Sequence, residues 1–323
     1  MKVVLTDHGF ASIEQEKSLL AAAGCELVVL QSKDPEKLAL ACADADALLV
    51  QWAPINAAVI AALRHCKVIV RYGIGVDNVD LKAAGARGIP VCNVPDYCIA
   101  EVADHALALA LSLARQIPQT DAAVRSGTWK IIPPSPFPSF RSTTFATAGF
   151  GRIARAVLER ARGFGFRLAA YDPFVPANAF AEAGVRRLEL DALWRESGIV
   201  SLHLPLTPET RHMVGEASLS RMRNDAIVIN TARGGLIDTR ALARALVDKR
   251  IAGAGLDVFE TEPLEADHPL RQAPNVLLTS HTAWYSAGSV PELQRKSAEA
   301  VVRAIRGEAL VNVVNTSFLT PPA

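Results

Sequence analysis

The sequence lacks the features that mark membrane-bound, secreted and nucleic-acid-binding proteins. The 323-residue chain carries a formal net charge of +1, so charge does not favour binding to a nucleic acid or to an anionic membrane. No apolar run is long enough to cross a bilayer. The opening residues, MKVVLTDHGF, contain no signal-peptide core. We therefore expect a cytoplasmic protein with no nucleic-acid or membrane partner.

Cysteine is also scarce, and other chemical signatures are missing. The five cysteines are Cys25, Cys42, Cys66, Cys92 and Cys98. They form no CxxC pair, and their odd number and apolar surroundings favour buried thiols in a reducing compartment over disulfides or metal ligands. No HxxxH pair occurs, so we predict no metal site. No GxSxG turn is available for a hydrolase nucleophile.

What the sequence does contain is a repeated alternation of short strands and helices. Runs such as KVVLTD, ADALLVQ and KVIVRYG are rich in β-branched residues and are separated by alanine-rich helical stretches. Near-continuous apolar strands that alternate with helices predict parallel sheets covered on both faces. The alternation restarts from TTFATAG to NVLLTSH, so pattern and length together predict an α/β protein of two domains.

The segment between the two systems has a different character. IAEVADHALALALSLARQIPQTDAAVRSGTW has helical periodicity and predicts a long helix that is broken near Pro118. It is apolar around much of its circumference, which suits burial against a second subunit. The proline-dense KIIPPSPFPSF predicts an irregular connection. After the second system, VPELQRKSAEAVVRAIRGEALVNVVN predicts an amphipathic helix and a short strand.

A glycine turn opens the second system. Gly149, Gly151 and Ala154 fit the G-x-G-x-x-G/A pattern, in which glycines allow a tight turn and close approach of the backbone to a pyrophosphate. Asp172 ends the next strand, where an acidic side chain binds the ribose 2′-hydroxyl. No arginine directly follows Asp172, so the pattern favours NAD over NADP. The alternative is a tight turn with an incidental aspartate. The strand before the turn, TTFATA, is unusually poor in large apolar residues.

Further motifs carry a resemblance to a known family. With RYGIGVDN upstream, the segments LHLPLTPETRHM, INTARGGLID, GAGLDVFETEPL and SHTAWYS resemble the NAD-dependent D-isomer-specific 2-hydroxyacid dehydrogenases over almost the whole chain. RYGIGVDN and HTAWYS are closer to the C-terminal-binding-protein branch, and no regulatory extension of the phosphoglycerate dehydrogenase type is expected. The resemblance implies a flavodoxin-like substrate domain at 1–98 plus 288–323. It also implies a Rossmann NAD-binding domain at 99–287, with the active site in the cleft.

Three residues would perform the chemistry. His281 follows the strand NVLLTS, at the end where α/β sheets bind ligands, and its near-neutral pKa suits reversible proton transfer. Arg233 follows the strand AIVIN and can pair with a carboxylate while polarising the adjacent carbonyl group. A carboxylate on the imidazole would fix its tautomer. Spacing leaves Glu260 and Glu262 as candidates, and the resemblance implies Glu262.

The resemblance also implies substrate and cofactor contacts. The backbone N–H groups of Ile74 and Gly75 would hold the substrate carboxylate, while Arg71 and Trp284 would shape the pocket for the substrate side chain; a surface cation and a core aromatic are the alternatives. The implied cofactor contacts, beside Gly149, Gly151 and Asp172, are Arg152, Ile153, Leu204, Pro205, Thr210, Thr231, Ala232 and Asp257. Asp257 would orient the carboxamide.

These residues predict hydride transfer between NAD(H) and a 2-hydroxy acid/2-oxo acid pair, and the resemblance implies the D isomer and a homodimer joined through the long helix. Glyoxylate, hydroxypyruvate and larger 2-oxo acids all remain candidate substrates, and the physiological direction is open. The alternative is an NADH-sensing, corepressor-like scaffold with little or no turnover. The complete set of Arg233, Glu262 and His281 does not exclude a scaffold, but we expect no long disordered tail for recruiting partners.

Overall fold

A computed structural model describes residues 1–132 and 137–319 of the chain. The chain divides into two compact units, one formed by Met1–Cys98 with Tyr285–Ala323 and the other by Ile99–Trp284. The returning segment therefore begins three residues before the position 288 expected from the sequence.

The first unit is built on a five-stranded parallel sheet. Its strands are β1 (Lys2–Leu5), β2 (Glu26–Val29), β3 (Ala47–Val50), β4 (Val68–Arg71) and β5 (Val91–Cys92). They lie in the order β2-β1-β3-β4-β5, which is the flavodoxin-like order. The helices are α1 (Glu14–Ala22), α2 (Pro35–Ala41), α3 (Ala57–Ala62), α4 (Leu81–Ala86) and, from the returning segment, α12 (Ser289–Arg306). The central strands β1, β3 and β4 are almost fully buried, as expected for a sheet covered on both faces.

The second unit is built on a seven-stranded parallel sheet. Its strands are β6 (Thr144–Ala148), β7 (Arg167–Tyr171), β8 (Arg186–Arg187), β9 (Ile199–Leu202), β10 (Ile227–Asn230), β11 (Gly253–Leu256) and β12 (Val276–Leu278). The order β12-β11-β10-β9-β6-β7-β8 has the Rossmann reversal between β6 and β9. Its helices are α5 (Ile99–Ala114), α6 (Ile117–Arg125), α7 (Arg152–Gly163), α8 (Ala177–Glu182), α9 (Leu190–Glu196), α10 (Glu216–Leu219) and α11 (Thr239–Val247). The predicted fold of two doubly wound parallel sheets is confirmed.

The predicted long helix is interrupted as expected. Gln116 adopts a left-handed conformation with φ 49° between α5 and α6. The break precedes Pro118 because proline is tolerated in the first turn of the helix that follows. Helix α5 is buried against α7, β10 and β11. Of the proline-dense connection, residues 133–136 lie outside the described residues, and a short 3-10 helix covers Phe140–Ser142.

The weakly apolar strand before the glycine turn has a structural explanation. Strand β6 pairs with β7 and β9 and has α7 and α9 packed against it, so it is covered on every side. Ala146 and Ala148 are fully buried, and bulk comes from Phe145. The buried hydroxyl of Thr147 donates to the carbonyl oxygen of Gly149 at 2.8 Å. The polar side chain is thus satisfied within the turn that it precedes.

The predicted terminal strand is wrong. Between α12 and residue 319 the chain forms an isolated antiparallel bridge, Cys92 with Val313, and a 3-10 helix at Thr316–Phe318, but no strand. The Val314 N–H donates to the Val91 carbonyl at 2.8 Å. The buried side chain of Asn315 adds to this short pairing, since it accepts from the Val91 N–H at 2.8 Å and donates to the Ile89 carbonyl at 2.9 Å.

The cysteines are free thiols, four of them buried and Cys66 partly exposed. Burial raises the pKa of Cys42 and Cys92 to about 11 and that of Cys66 to about 12. These three thiols are therefore protonated at neutral pH and poor nucleophiles. Among the described residues, no helix is both long and apolar enough to span a membrane.

Candidate active site

The glycine turn after β6 has the shape of an anion cradle. Gly149 has φ 98°, and a Cβ there would lie 2.4 Å from the carbonyl oxygen of His203, so only glycine fits. Gly151 caps α7 without a side chain, and a Cβ on it would meet nothing within 4 Å. The first N–H groups of α7, from Arg152 onward, therefore begin beside open space, where an anion is favoured.

Asp172 follows β7 and ties that strand to the glycine turn. Its Oδ2 accepts from the N–H of Phe150 at 2.9 Å, and its Oδ1 accepts from the N–H of Phe174 at 3.0 Å. Each carboxylate oxygen can still accept a further hydrogen bond. The aspartate thus lies where the ribose contact was predicted, already oriented by two backbone donors.

The loops that follow β9 and β10 lie at the same edge of the sheet as the glycine turn. Leu204 and Pro205 follow β9, and the Thr210 hydroxyl donates to the Pro205 carbonyl at 2.7 Å, so it braces this loop. After β10, the Thr231 hydroxyl is buried and has no hydrogen-bond partner among the described residues. The Ala232 N–H donates to the Asn230 side chain at 3.0 Å.

The observations on the glycine turn and Thr231 fit a bound dinucleotide. A buried hydroxyl without a partner is costly unless a ligand or water satisfies it. The glycine cradle, Asp172 and this hydroxyl lie on the carboxyl ends of neighbouring strands, where open α/β sheets bind ligands. Ile153, in the first turn of α7, is half-buried and is also available to such a ligand.

His203 was not predicted from the sequence as a site residue, and it directly follows β9. Burial lowers the pKa of this imidazole to about 3. Its Nε2 lies 2.8 Å from the Ser201 hydroxyl. The ring is therefore neutral throughout the physiological range and contributes shape rather than charge. No spacing in the sequence could distinguish this histidine from a titrating one.

Arg233 is presented by a turn that Asn230 organises. The Asn230 Nδ2 donates to the Arg233 carbonyl at 2.8 Å, and the Arg233 Nη1 contacts the Ala232 carbonyl at 2.6 Å. Gly234, which follows, packs directly on the backbone of the next loop: a Cβ on it would lie 1.9 Å from the carbonyl group of Phe259. The arginine turn and the loop after β11 are thus seated on one another.

Glu262, and not Glu260, contacts His281. The Glu262 Oε2 lies 2.8 Å from His281 Nδ1, and its Oε1 accepts from the Phe259 N–H at 3.0 Å. Burial alone would raise the pKa of Glu262, but hydrogen bonds from His281 and Phe259 and the charge of Arg233 outweigh it and hold the pKa below its usual value. The carboxylate is therefore ionised at neutral pH and orients the imidazole through Nδ1. Both side chains remain accessible, with 43% and 37% of their surface exposed.

Asp257 holds the loop on which His281 lies. This carboxylate is 1% exposed and accepts from the Thr279 hydroxyl at 2.6 Å and from the N–H groups of Thr282 and Ala283, each at 2.9 Å. The His281 N–H donates to the Asp257 carbonyl at 2.8 Å. His281 itself has φ 56°, a conformation that such over-determined loops can maintain. The carboxamide contact expected for Asp257 stays a prediction, because loop support occupies most of this carboxylate.

The predicted carboxylate-binding loop lies in the first unit. The Ile74 carbonyl accepts from the Asn93 Nδ2 at 2.6 Å, which orients the Ile74–Gly75 peptide. Gly73 has φ 139° and passes close to Arg71, since a Cβ on Gly73 would lie 1.6 Å from the Arg71 Nη1. Asn93 was missed at the sequence level because nothing in its spacing marks it.

The predicted residues are therefore shared between the two units. Arg71, Ile74 and Gly75 belong to the first unit, and Trp284 is the last residue of the second, which also holds Arg233, Glu262 and His281. No group of three or more His, Cys, Asp or Glu side chains in 1–132 and 137–319 could hold a metal ion. The chemistry available in the second unit is proton transfer by His281 beside a cationic guanidinium and a dinucleotide cradle.

Comparisons with known proteins assign these motifs to one family. The family model described as D-isomer specific 2-hydroxyacid dehydrogenase, NAD binding domain, matches residues 107–283. A D-3-phosphoglycerate dehydrogenase of Mycobacterium bovis is 40% identical over 301 residues, which are 92% of this chain and 57% of that enzyme. A glyoxylate reductase of Korarchaeum cryptofilum is 41% identical over 276 residues, 84% of this chain and 83% of that enzyme. The chain thus spans little more than half the length of the mycobacterial relative.

A solved structure extends the similarity. D-lactate dehydrogenase from Aquifex aeolicus, complexed with NAD and lactic acid, matches with a TM-score of 0.87 and 27% identity, covering 95% of this chain and 96% of that one. The similarity therefore includes both the segment of the family model and the flanking segments. Assignment to the C-terminal-binding-protein branch stays a prediction.

Proposed function

This chain belongs to the D-isomer specific 2-hydroxyacid dehydrogenase family, and from that premise we propose that it transfers a hydride between NAD(H) and a 2-hydroxy acid/2-oxo acid pair. The observation that carries the proposal is the 2.8 Å contact between Glu262 and His281 Nδ1, in the same unit as Arg233 and the glycine turn. This arrangement leaves Nε2 of His281 as the nitrogen that exchanges a proton with substrate.

Held at the turn of Gly149 and Gly151, bound NADH would supply the hydride in the direction of reduction. Arg233 pairs with the substrate carboxylate and polarises the neighbouring carbonyl group, while the N–H groups of Ile74 and Gly75 hold the same carboxylate. His281 gives its Nε2 proton to the developing alkoxide oxygen. The ionised Glu262 stabilises the imidazolium before the transfer. In oxidation, neutral His281 removes the hydroxyl proton, and Arg71 and Trp284 shape the side-chain pocket.

We propose NAD rather than NADP as the cofactor. Asp172 supports this because a carboxylate accepts from a ribose 2′-hydroxyl but repels a 2′-phosphate. The pyrophosphate would lie at Gly149, Gly151 and Arg152, with Ile153, Leu204, Pro205 and Thr210 around the nucleotide. Thr231, Ala232 and Asp257 would be on the nicotinamide side. The buried, unpartnered Thr231 hydroxyl supports a polar ligand at that end.

The test is NADH consumption across a panel of 2-oxo acids of graded size and charge, from glyoxylate to hydroxypyruvate and larger acids, with NADPH in parallel. Turnover with NADH on one class supports the proposal and identifies the pocket preference; equal turnover with NADPH contradicts the role of Asp172. Silence across the panel, with NADH binding shown by fluorescence, contradicts the enzyme proposal and favours the NADH-sensing scaffold.

We further propose a cytoplasmic homodimer with no nucleic-acid or membrane partner. The net charge of +1 supports the latter part. The dimer is supported by large apolar side chains on α6 and the connection after it. Five of them are more than half exposed: Ile117, Val124, Trp129, Ile131 and Ile132. Such a cluster is typical of an interaction surface.

A further inference from the structure

Glu260 lies two residues before Glu262, but it is directed into a separate hydrogen-bond chain. Its Oε1 lies 2.6 Å from His212 Nε2. Its Oε2 accepts from Thr239 twice, from the backbone N–H at 3.0 Å and from the hydroxyl at 2.5 Å. The Thr239 hydroxyl in turn lies 3.2 Å from the buried His268 Nε2. The proposed reaction does not use any of these groups.

The hydrogen bond at His268 determines which atoms donate and which accept in the hydrogen-bond chain to Glu260. The Leu270 N–H donates to His268 Nδ1 at 3.2 Å, so the proton of neutral His268 is on Nε2. His268 can then donate to the Thr239 oxygen, which leaves the Thr239 proton for Glu260. Every contact of Glu260 is thus a donor to its carboxylate. Burial alone would raise the pKa of Glu260, but the bonds from Thr239 and His212 outweigh it and lower the pKa.

The hydrogen bonds that link His268, Thr239, Glu260 and His212 fix the loop that carries Glu262. Thr239 begins α11 and His212 belongs to the loop after β9, so two elements bind Glu260 directly. His268, which caps the 3-10 helix Pro269–Arg271, reaches Glu260 only through Thr239. On the other side of the loop, Gly234 seats against the backbone of Phe259 and Glu260. The Phe259 N–H then donates to Glu262 Oε1 at 3.0 Å. Loop residues 259–262 are therefore held from two sides: the Glu260 side chain binds Thr239 and His212, and the loop backbone packs on the Arg233 turn.

We propose that Glu260 is a positioning residue: anchored by Thr239 and His212, it holds residues 259–262 so that Glu262 stays bonded to His281 Nδ1. Glu260 reaches His281 only through Glu262, and it touches neither His281 nor Arg233 in any contact described for it. The interpretation of His281 as the acid/base rests on the proposed function, whereas the positioning of Glu262 does not.

The surroundings supply a matched control. A pocket of about 330 Å³ opens beside Glu260, and the other charged residues that line it are Asp238, Arg240 and Glu265. Arg240 and Glu265 pair at 3.4 Å, and Asp238 accepts from the Ala241 N–H as the cap of α11. Glu265 thus has the same charge, loop and pocket as Glu260, but it does not bond Thr239 or His212.

The experiment compares Glu260→Gln and His212→Gln with Glu265→Gln and the unaltered protein. An amide cannot accept on both sides, so in Glu260→Gln either one anchor is lost or His212 must adopt its other tautomer, whereas His212→Gln keeps a donor and is the conservative variant. The histidines are labelled with ¹⁵N, and NMR shows which ring nitrogen of His281, assigned by its loss in His281→Gln, carries the proton. We expect the share of the His281 Nδ1–H tautomer to fall by roughly twofold in Glu260→Gln, by less in His212→Gln, and not at all in Glu265→Gln.

The activity arm uses the substrate found in the panel. Glu260→Gln should lower kcat while NADH affinity is unchanged, a split that general destabilisation would not produce. An unchanged His281 tautomer in Glu260→Gln overturns the proposal, as does an equal change in Glu265→Gln. If Glu260→Gln does not fold, a His281 tautomer in His212→Gln equal to that of the unaltered protein overturns it. The NMR measurement requires no turnover, so an inactive chain would refute the proposed function separately.

Discussion

At the scale of single residues, two carboxylates of one loop are separated by their contacts. Glu262 bonds His281, and Glu260 bonds Thr239 and His212. Spacing in the sequence could not decide between them, because both follow β11 and the direction of a loop side chain depends on the backbone around it. That backbone is held by contacts with residues far away in sequence, among them Gly234 and Thr239, and no local pattern encodes such contacts.

Glu262→Gln should reduce turnover by roughly 10- to 100-fold with little change in NADH affinity. Removal of the ionised carboxylate leaves His281 Nδ1 without a charged partner, so the tautomer that presents Nε2 to the substrate is held less firmly. Steady-state kcat and NADH affinity measure this, with Glu265→Gln as the control. A kcat equal to that of the control would contradict the role of Glu262.

Glu262 also determines how one contribution to the free energy of unfolding changes with pH. The pKa of Glu262 is lower in the folded protein than its ordinary value, so its contribution is fully present above that ordinary value, about 4.5, and is lost as pH falls through the folded pKa. Unfolding by denaturant from pH 7 to pH 3 should therefore show a smaller acid-induced loss in Glu262→Gln than in the unaltered protein. An equal loss would show that this pair does not contribute.

At the scale of elements, the hydrophobic pattern of the sequence predicted most strands of the two sheets. Buried strands such as β3, β9 and β10 are near-continuous apolar runs between turn residues, and burial on both faces is what produces such runs. The pattern missed β8 because two exposed arginines carry no periodicity. It predicted a terminal strand where the structure has a single bridge beside the Asn315 side chain, because hydrogen bonds from a side-chain amide are invisible in hydropathy.

Gly234→Ala should destabilise the second unit by about 1 to 3 kcal/mol and should lower kcat, because the added Cβ would separate the Arg233 turn from the loop of Glu262. Gly163→Ala is the control, since a Cβ at the end of α7 meets nothing within 4 Å, and it should be neutral or slightly stabilising. Thermal unfolding and turnover measure both effects. A Gly234→Ala protein equal to the control in both would show that this contact is dispensable.

At the scale of the whole molecule, the sequence predicted two α/β units because the strand–helix alternation stops at a long helix and restarts. It also predicted that the last helix returns to the first unit, which required the family resemblance rather than periodicity. The compact units, Met1–Cys98 with Tyr285–Ala323 and Ile99–Trp284, depend on contacts between residues far apart in sequence, and no local pattern specifies those.

The assembly prediction belongs to this scale. Size-exclusion chromatography with light scattering should give about 69 kDa, twice the 34.5 kDa of one chain. Ile131→Asp should shift the mass toward that of the monomer, because it charges the apolar cluster around Trp129, whereas Leu40→Asp, in the first unit and 82% exposed, should leave it unchanged. A monomeric unaltered protein would refute the homodimer.

The contribution of α12 and Asn315 to the first unit has a consequence for the order of synthesis. Helix α12 packs against α1, β3 and β4, and Asn315 binds the backbone of Ile89 and Val91. These parts leave the ribosome only after the whole of Ile99–Trp284 has been made. The second unit is therefore available to fold as a continuous stretch, whereas the nascent first unit must wait with the surface of β3 and β4 that α12 covers still exposed. It is therefore the part of the chain that we expect to need a chaperone during translation.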